Sequence, residues 1–246
     1  MLFSSFVFLI VLVLGALERV SSQKQASNHL ILTSEAFSKD YYLGNVGNKL
    51  MTYVVLGAST AVGTGAEQVE QTYPYLIASH FARRGFRVHV INLARNGATL
   101  EQIVRVQLPL VAEFRPDLLT VSAGANDASR GTPLNQFRAQ AHQLADGLVR
   151  TRASLVLMSN TPDLGSLPGI PRLLRPVARW RARSQNAILA TILSQYSIQV
   201  VDVYGGLTLG SARPKEWYAA DGLHPSASGY VRWIHLFIAQ TNEETF

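Results

Sequence analysis

Five positions in four separate stretches of the chain carry groups that could work together on one carbonyl: Ser59, Gly97, Asn126, Asp221 and His224. A serine hydroxyl is a weak nucleophile until a base removes its proton, and imidazole is the side chain suited to that task near neutrality. The imidazole must present the right tautomer, so it needs an acceptor behind it. Asp221 lies three residues before His224, and a single turn lets both serve one serine. Acyl transfer also builds negative charge on a former carbonyl oxygen, which calls for donors such as a backbone N–H beyond a tight glycine turn or an asparagine amide. Gly97 and Asn126 offer one of each. Taken singly, each position also has a plainer reading. Ser59 can cap the helix that follows it, Asn126 with Asp127 can be an ordinary turn, and Asp221 with His224 can be a helix-entry cap.

The elements that must position these groups are legible as an alternation. An apolar run, Leu50 to Leu56, breaks at Gly57, as a buried strand of a parallel sheet does, and leaves Ser59 at its carboxyl end. Ligands of open α/β sheets bind at that edge. Residues 67–84 then read as a helix and 86–93 as a strand. A turn-forming cluster around Asn96 and Gly97 precedes a helix with Ile103, Val104, Leu108 and Val111 on its apolar side. Strands follow at 118–121, 155–158 and 198–203, with helices at 133–150, 179–193 and 226–238. This pattern predicts a parallel sheet of five strands covered by helices on both faces. One long irregular piece, Asn160 to Arg175, leaves the fourth strand and reads as a wall of the binding crevice. The arginines at 172, 175, 179, 181 and 183 read as a solvated helix face.

Composition narrows the function classes. With 246 residues, 48% of them hydrophobic and 15% charged, the chain can bury one sizeable core. Its charge of +6 is spread along the sequence without a lysine-rich tail, which argues against a nucleic-acid partner and leaves peripheral contact with an anionic membrane as a secondary expectation. There is no cysteine, hence no disulfide, thiol nucleophile or thiolate metal site. His29, His80, His89, His142 and His235 show no ligand spacing. Gly57, Gly63 and Gly65 match neither a dinucleotide fingerprint nor a phosphate loop, and Ala61 stands where an α/β-hydrolase nucleophile elbow needs glycine. The apolar stretch Leu2 to Leu17 suits the core of a signal peptide with a cleavage point after Ser22, or an uncleaved N-terminal anchor. The organisation expected is therefore a leader or anchor over 1–22, a linker or lead-in over 23–48, one catalytic domain over 49–241 and a short tail over 242–246.

In this order, the motifs resemble those of the SGNH hydrolases, the GDSL-like lipase and esterase superfamily. The family's first block corresponds to Gly57, Ala58 and Ser59, and the second block's glycine falls on Gly97 after Asn96. The third, Gly-x-Asn-Asp, is Gly124 to Asp127, and the last, Asp-x-x-His-Pro, is Asp221 to Pro225. The similarity runs from about Tyr53 to His235. The chain departs from the pattern at Ala58, where the family usually has aspartate, and at Thr60, where it has leucine. The resemblance implies a three-layer α/β/α sandwich of flavodoxin-like type around a mainly parallel five-stranded sheet. It further implies a two-step ester hydrolysis through an acyl-serine, with Ser59 as nucleophile, His224 as base and then acid, and Asp221 as its orienter. The Ser59 N–H, the Gly97 N–H and the Asn126 amide would hold the oxyanion. No metal or other cofactor is implied, and the expected partner is a small-molecule, lipid or acylated-sugar ester. Two rival functions share this frame: acyl transfer to an alcohol from the same serine, and an inactive ligand-binding module, for which Ala58 is the hint.

Overall fold

The computed structural model describes residues 20–207 and 215–241. Its centre is a six-stranded sheet in the order β1-β3-β2-β4-β5-β6. The strands are Asp40–Leu43 (β1), Lys49–Gly57 (β2), Phe86–Asn92 (β3), Leu118–Ser122 (β4), Leu155–Ser159 (β5) and Gln199–Val201 (β6). All neighbours run parallel except β1, which pairs antiparallel with β3 from Asp40 opposite Ile91 to Leu43 opposite Val88. The sheet therefore has one strand more than the sequence pattern predicts. The extra strand escapes a periodicity reading because it is four residues long and lies at an edge, where no continuous apolar run is needed. Tertiary pairing holds it there, helped by His89 on β3, which bonds Asp40 at 2.7 Å and stacks on Tyr42.

Side chains alternate across β2, so Met51, Tyr53 and Val55 enter one apolar core and Val54 and Leu56 the other. Helices Tyr73–Arg83 (α3) and Ala227–Ile238 (α9) cover the first face. Residues 100–113, Leu134–Arg150 (α6) and Arg175–Leu193 (α7) cover the second. On α6 the buried residues Phe137, Ala141, Leu144, Ala145 and Leu148 keep helical spacing, and on α9 Tyr230, Trp233, Ile234 and Phe237 do the same. Each such large side chain contributes about 1.5–3 kcal/mol by leaving water. The chain goes from β2 to β3 over one face and returns from β3 to β4 over the other. The carboxyl ends of β2 and β4 thus border the crevice where the winding reverses.

Two sequence expectations change. Residues 100–113 are not one regular helix: a single α turn, Leu100–Gln102 (α4), widens into a π turn over Ile103–Gln107 and tightens into 3₁₀ over Leu108–Glu113. Residues 23–48, expected as a linker or lead-in without clear period, carry regular structure: 20–35 are helical (α1) and β1 follows. The inward positions of α1 mix Gln23, Ser27 and Ser34 with Ala26, Leu30 and Ile31, and such a mixed face gives no clear hydrophobic period. The expected leader Leu2 to Leu17 and the tail 242–246 lie outside the described residues, and the expected cleavage point after Ser22 lies in the helical stretch. Among the described residues, no helix is long and apolar enough to cross a membrane.

Candidate active site

The nucleophile candidate is placed by a turn that only glycine can enter. Gly57 has φ +143°, and a Cβ there would lie 2.3 Å from the Ser122 carbonyl oxygen. Its N–H donates to Gln107 Oε1 at 2.8 Å, while its carbonyl accepts from Gln107 Nε2 at 2.9 Å and from the Arg95 N–H at 3.2 Å. Gln107 is the last residue of the π turn and is buried. It braces the strand end next to Ala58, the position where the family's aspartate is missing. Sequence reasoning overlooked Gln107, because a glutamine within an apolar helix pattern carries no signal of its own.

Beyond Ala58 the chain makes one helical turn, Ser59–Val62 (α2), with Ala58 at the N-cap and no side-chain cap bond. The Ser59 hydroxyl is therefore not spent on capping. Its Oγ lies 3.0 Å from His224 Nε2, and His224 Nδ1 lies 2.6 Å from Asp221 Oδ2. Asp221 is held in turn: its Oδ1 accepts from the Leu223 and His224 N–H groups at 2.9 and 3.1 Å. Burial opposes the Asp221 charge, but the hydrogen bond and charge of His224, with the two backbone N–H groups, outweigh it and push the carboxyl down to about 2. The acid therefore stays ionised behind the imidazole. On the far side, Tyr230 of α9 donates to the Thr64 carbonyl at 2.7 Å and ties the α2 turn to the helix that follows His224.

Asn126 begins its placement at Gly124, whose φ of +103° lets Thr161 Oγ1 sit where a Cβ would otherwise be. A short helix, Ala125–Ser129 (α5), follows. The Asn126 amide donates one hydrogen to the Ala98 carbonyl at 3.1 Å, which orients the group and leaves its second hydrogen for a ligand. Asp127 is buried, and its carboxylate accepts from the Leu100 N–H at 3.1 Å, joining the second and third motifs; burial raises its pKa. Gly97 does not line the crevice itself. It borders Ala98, and its carbonyl accepts from Arg130 at 2.8 Å.

Ser59, Asn126 and His224 share one crevice of about 510 Å³. Its walls are largely apolar, with Leu164, Leu167 and Ile170 from the loop after β5, Val177 from α7, and Trp217 and Trp233. The 160–175 loop is thus a wall. Most of the arginines along it are spent on structure: Arg175 bonds the Ile170 carbonyl, Arg179 pairs with Asp163, Arg181 bonds the Thr132 carbonyl and Arg183 the Tyr204 hydroxyl.

Residues 55–232 match the family described as GDSL-like lipase/acylhydrolase. The chain belongs to that family. Within it, the chain is 32% identical over 183 residues to a GDSL-like esterase of Mycobacterium tuberculosis, a match covering 72% of this chain and 57% of that protein. It is 25% identical over 190 residues to an arylesterase of Vibrio mimicus, covering 76% of this chain and 86% of that one. The crystal structure of a lipase/acylhydrolase from Enterococcus faecalis shares the fold, with a TM-score of 0.61 at 24% identity over 77% of this chain and 95% of that one. The matched residues 55–232 do not include α1 and β1.

Proposed function

We propose that this GDSL-family protein is a serine esterase that hydrolyses carboxylic esters with an apolar acyl group through an acyl-serine intermediate. The observation that carries this reading is the chain of contacts from Ser59 Oγ through His224 to Asp221, set at the wall of an apolar crevice. Ser59 Oγ attacks the ester carbonyl carbon and passes its proton to His224 Nε2. The oxygen that becomes charged takes hydrogen bonds from the Ser59 N–H and the free hydrogen of the Asn126 amide; the Gly97 N–H expected from the family pattern is not among these donors, because Gly97 does not line the crevice. As the intermediate collapses, the carbon–oxygen bond to the alcohol breaks and the departing oxygen takes the proton from Nε2. Water then attacks the acyl-serine, gives a proton to Nε2, and the carboxylic acid leaves as Ser59 regains its hydrogen. Throughout, Asp221 holds the Nδ1 proton and offsets the imidazolium charge.

A fluorophosphonate probe tests the reading together with a ladder of ester chain lengths. Labelling and hydrolysis are expected in the wild type, and both vanish in a folded Ser59→Ala variant. Hydrolysis retained in that variant removes Ser59 from the role.

The same proposal places the enzyme outside the cytoplasm at a lipid surface. Export or anchoring is supported by the apolar stretch Leu2 to Leu17. Lipid contact is supported by Leu173, Leu174, Val177 and Trp180, all more than half exposed, which stand beside the crevice mouth with the exposed Arg172 nearby. Sedimentation with anionic and neutral vesicles checks this: the wild type should favour the anionic ones, and Leu173→Ser with Trp180→Ser should lose that binding. Equal recovery of both proteins in the supernatant refutes it.

A further inference from the structure

We propose that α1, which precedes the residues matching the family, belongs to the catalytic apparatus, and that Ser27 is a positioning residue for Asp221. Ser27 Oγ donates to Asp221 Oδ2 at 2.8 Å, the same oxygen that takes His224 Nδ1 at 2.6 Å. One helical turn earlier, Gln23 Nε2 donates to the Asp221 carbonyl at 2.9 Å and to the Gly169 carbonyl of the crevice wall at 3.0 Å. At the other end of the helix, Ser34 Oγ lies 2.9 Å from Thr64 Oγ1, and Glu35 Oε1 accepts from Asn96 Nδ2 at 2.7 Å. Asn96 precedes Gly97, and Thr64 follows the Ser59 turn. The helix thus straps together the loops that carry the acid, the crevice wall, the nucleophile turn and the second family motif.

The position of Ser27 gives it two effects. Asp221 Oδ1 is held by two backbone N–H groups, whereas Oδ2 is held by the imidazole and by Ser27 alone. The hydroxyl therefore fixes the carboxylate plane against which His224 is oriented. It also draws off part of the negative charge that the imidazole feels, since a hydrogen bond to an ionised group is a charge-dipole interaction strengthened by burial. The titratable groups acting on Asp221 are His224 and the buried Tyr230 phenol, while Lys24 and His29 of α1 are exposed. No second carboxylate is among these groups to share that load. An expected cleavage after Ser22 leaves both Gln23 and Ser27 on the mature chain.

The inference rests on the serine-esterase reading, so phosphonate labelling of the wild type at Ser59 comes first; its failure counts against that reading alone. In the full chain, Ser27→Ala should lower kcat roughly tenfold to a hundredfold, the loss expected for one hydrogen bond to a charged group, with KM little changed because Ser27 lies outside the crevice. The acid limb of kcat/KM should move to higher pH, because the imidazolium then faces a less compensated carboxylate. Ser27→Thr, which keeps the hydroxyl, should restore both; Ser27→Cys, similar in size with a poor donor, should behave as alanine does. A Ser27→Ala protein with wild-type kcat and acid limb overturns the proposal. So does a loss of kcat with an unmoved limb that threonine fails to rescue, the behaviour of mere helix support.

Discussion

Replacing Asp221 with asparagine changes almost no volume, yet the geometry leaves only one way to accommodate it. All four hydrogen bonds to the carboxylate come from donors: the Leu223 and His224 N–H groups on Oδ1, and His224 Nδ1 and Ser27 Oγ on Oδ2. The backbone donors cannot turn away, so the asparagine oxygen must take the Oδ1 place and its NH₂ must face His224. The imidazole then accepts at Nδ1 and carries its proton on Nε2, where it cannot take the proton of Ser59. The hydroxyl of Ser27 can rotate to accept from the amide, so the fold should persist. The cost falls on turnover, with kcat expected to drop by about 10⁴, or about 5.4 kcal/mol at 1.36 kcal/mol per tenfold. Steady-state kinetics on a chromogenic ester, thermal unfolding of the same preparation and nitrogen NMR of the His224 ring measure each part. A kcat within tenfold of wild type, or a ring that still carries its proton on Nδ1, refutes the tautomer argument.

Asn126→Ala should lower kcat by roughly 10²–10³ with KM little changed, as loss of a side-chain oxyanion donor does; unchanged turnover leaves Asn126 as a turn residue. Gln107→Leu should leave the Gly57 N–H buried without an acceptor, costing about 1–3 kcal/mol and lowering Tm by roughly 2–12 °C; an unshifted melting curve refutes the brace. Asp221 is also an acid-stability group: because its folded pKa of about 2 lies below the ordinary 3.8, its contribution is present above about pH 4 and is lost as pH falls towards 2. The Tm difference between wild type and Asp221→Asn should shrink over that window, and a constant difference refutes the linkage.

Sequence alone determined the alternating sheet and the motif residues, because buried parallel strands must be continuous apolar runs and tight turns at their ends must carry glycine. It placed Ser59, Asn126 and the Asp221 to His224 pair at loops along one edge. Whether Ser59 capped a helix was a question of rotamer and partner, and only the fold answered it, by putting His224 Nε2 at 3.0 Å and Ala58 at the cap. Gln107 and Ser27 were invisible for a related reason. A polar side chain announces nothing by period, and its partner lies 50 residues away for Gln107 and 194 for Ser27. The strand β1 and helix α1 likewise take their structure from contacts with the finished sheet and site rather than from local apolar pattern. What could be read from the sequence was what short-range sterics and hydrophobic spacing enforce, while the support of the candidate triad depends on hydrogen bonds that exist only once distant segments have been brought together.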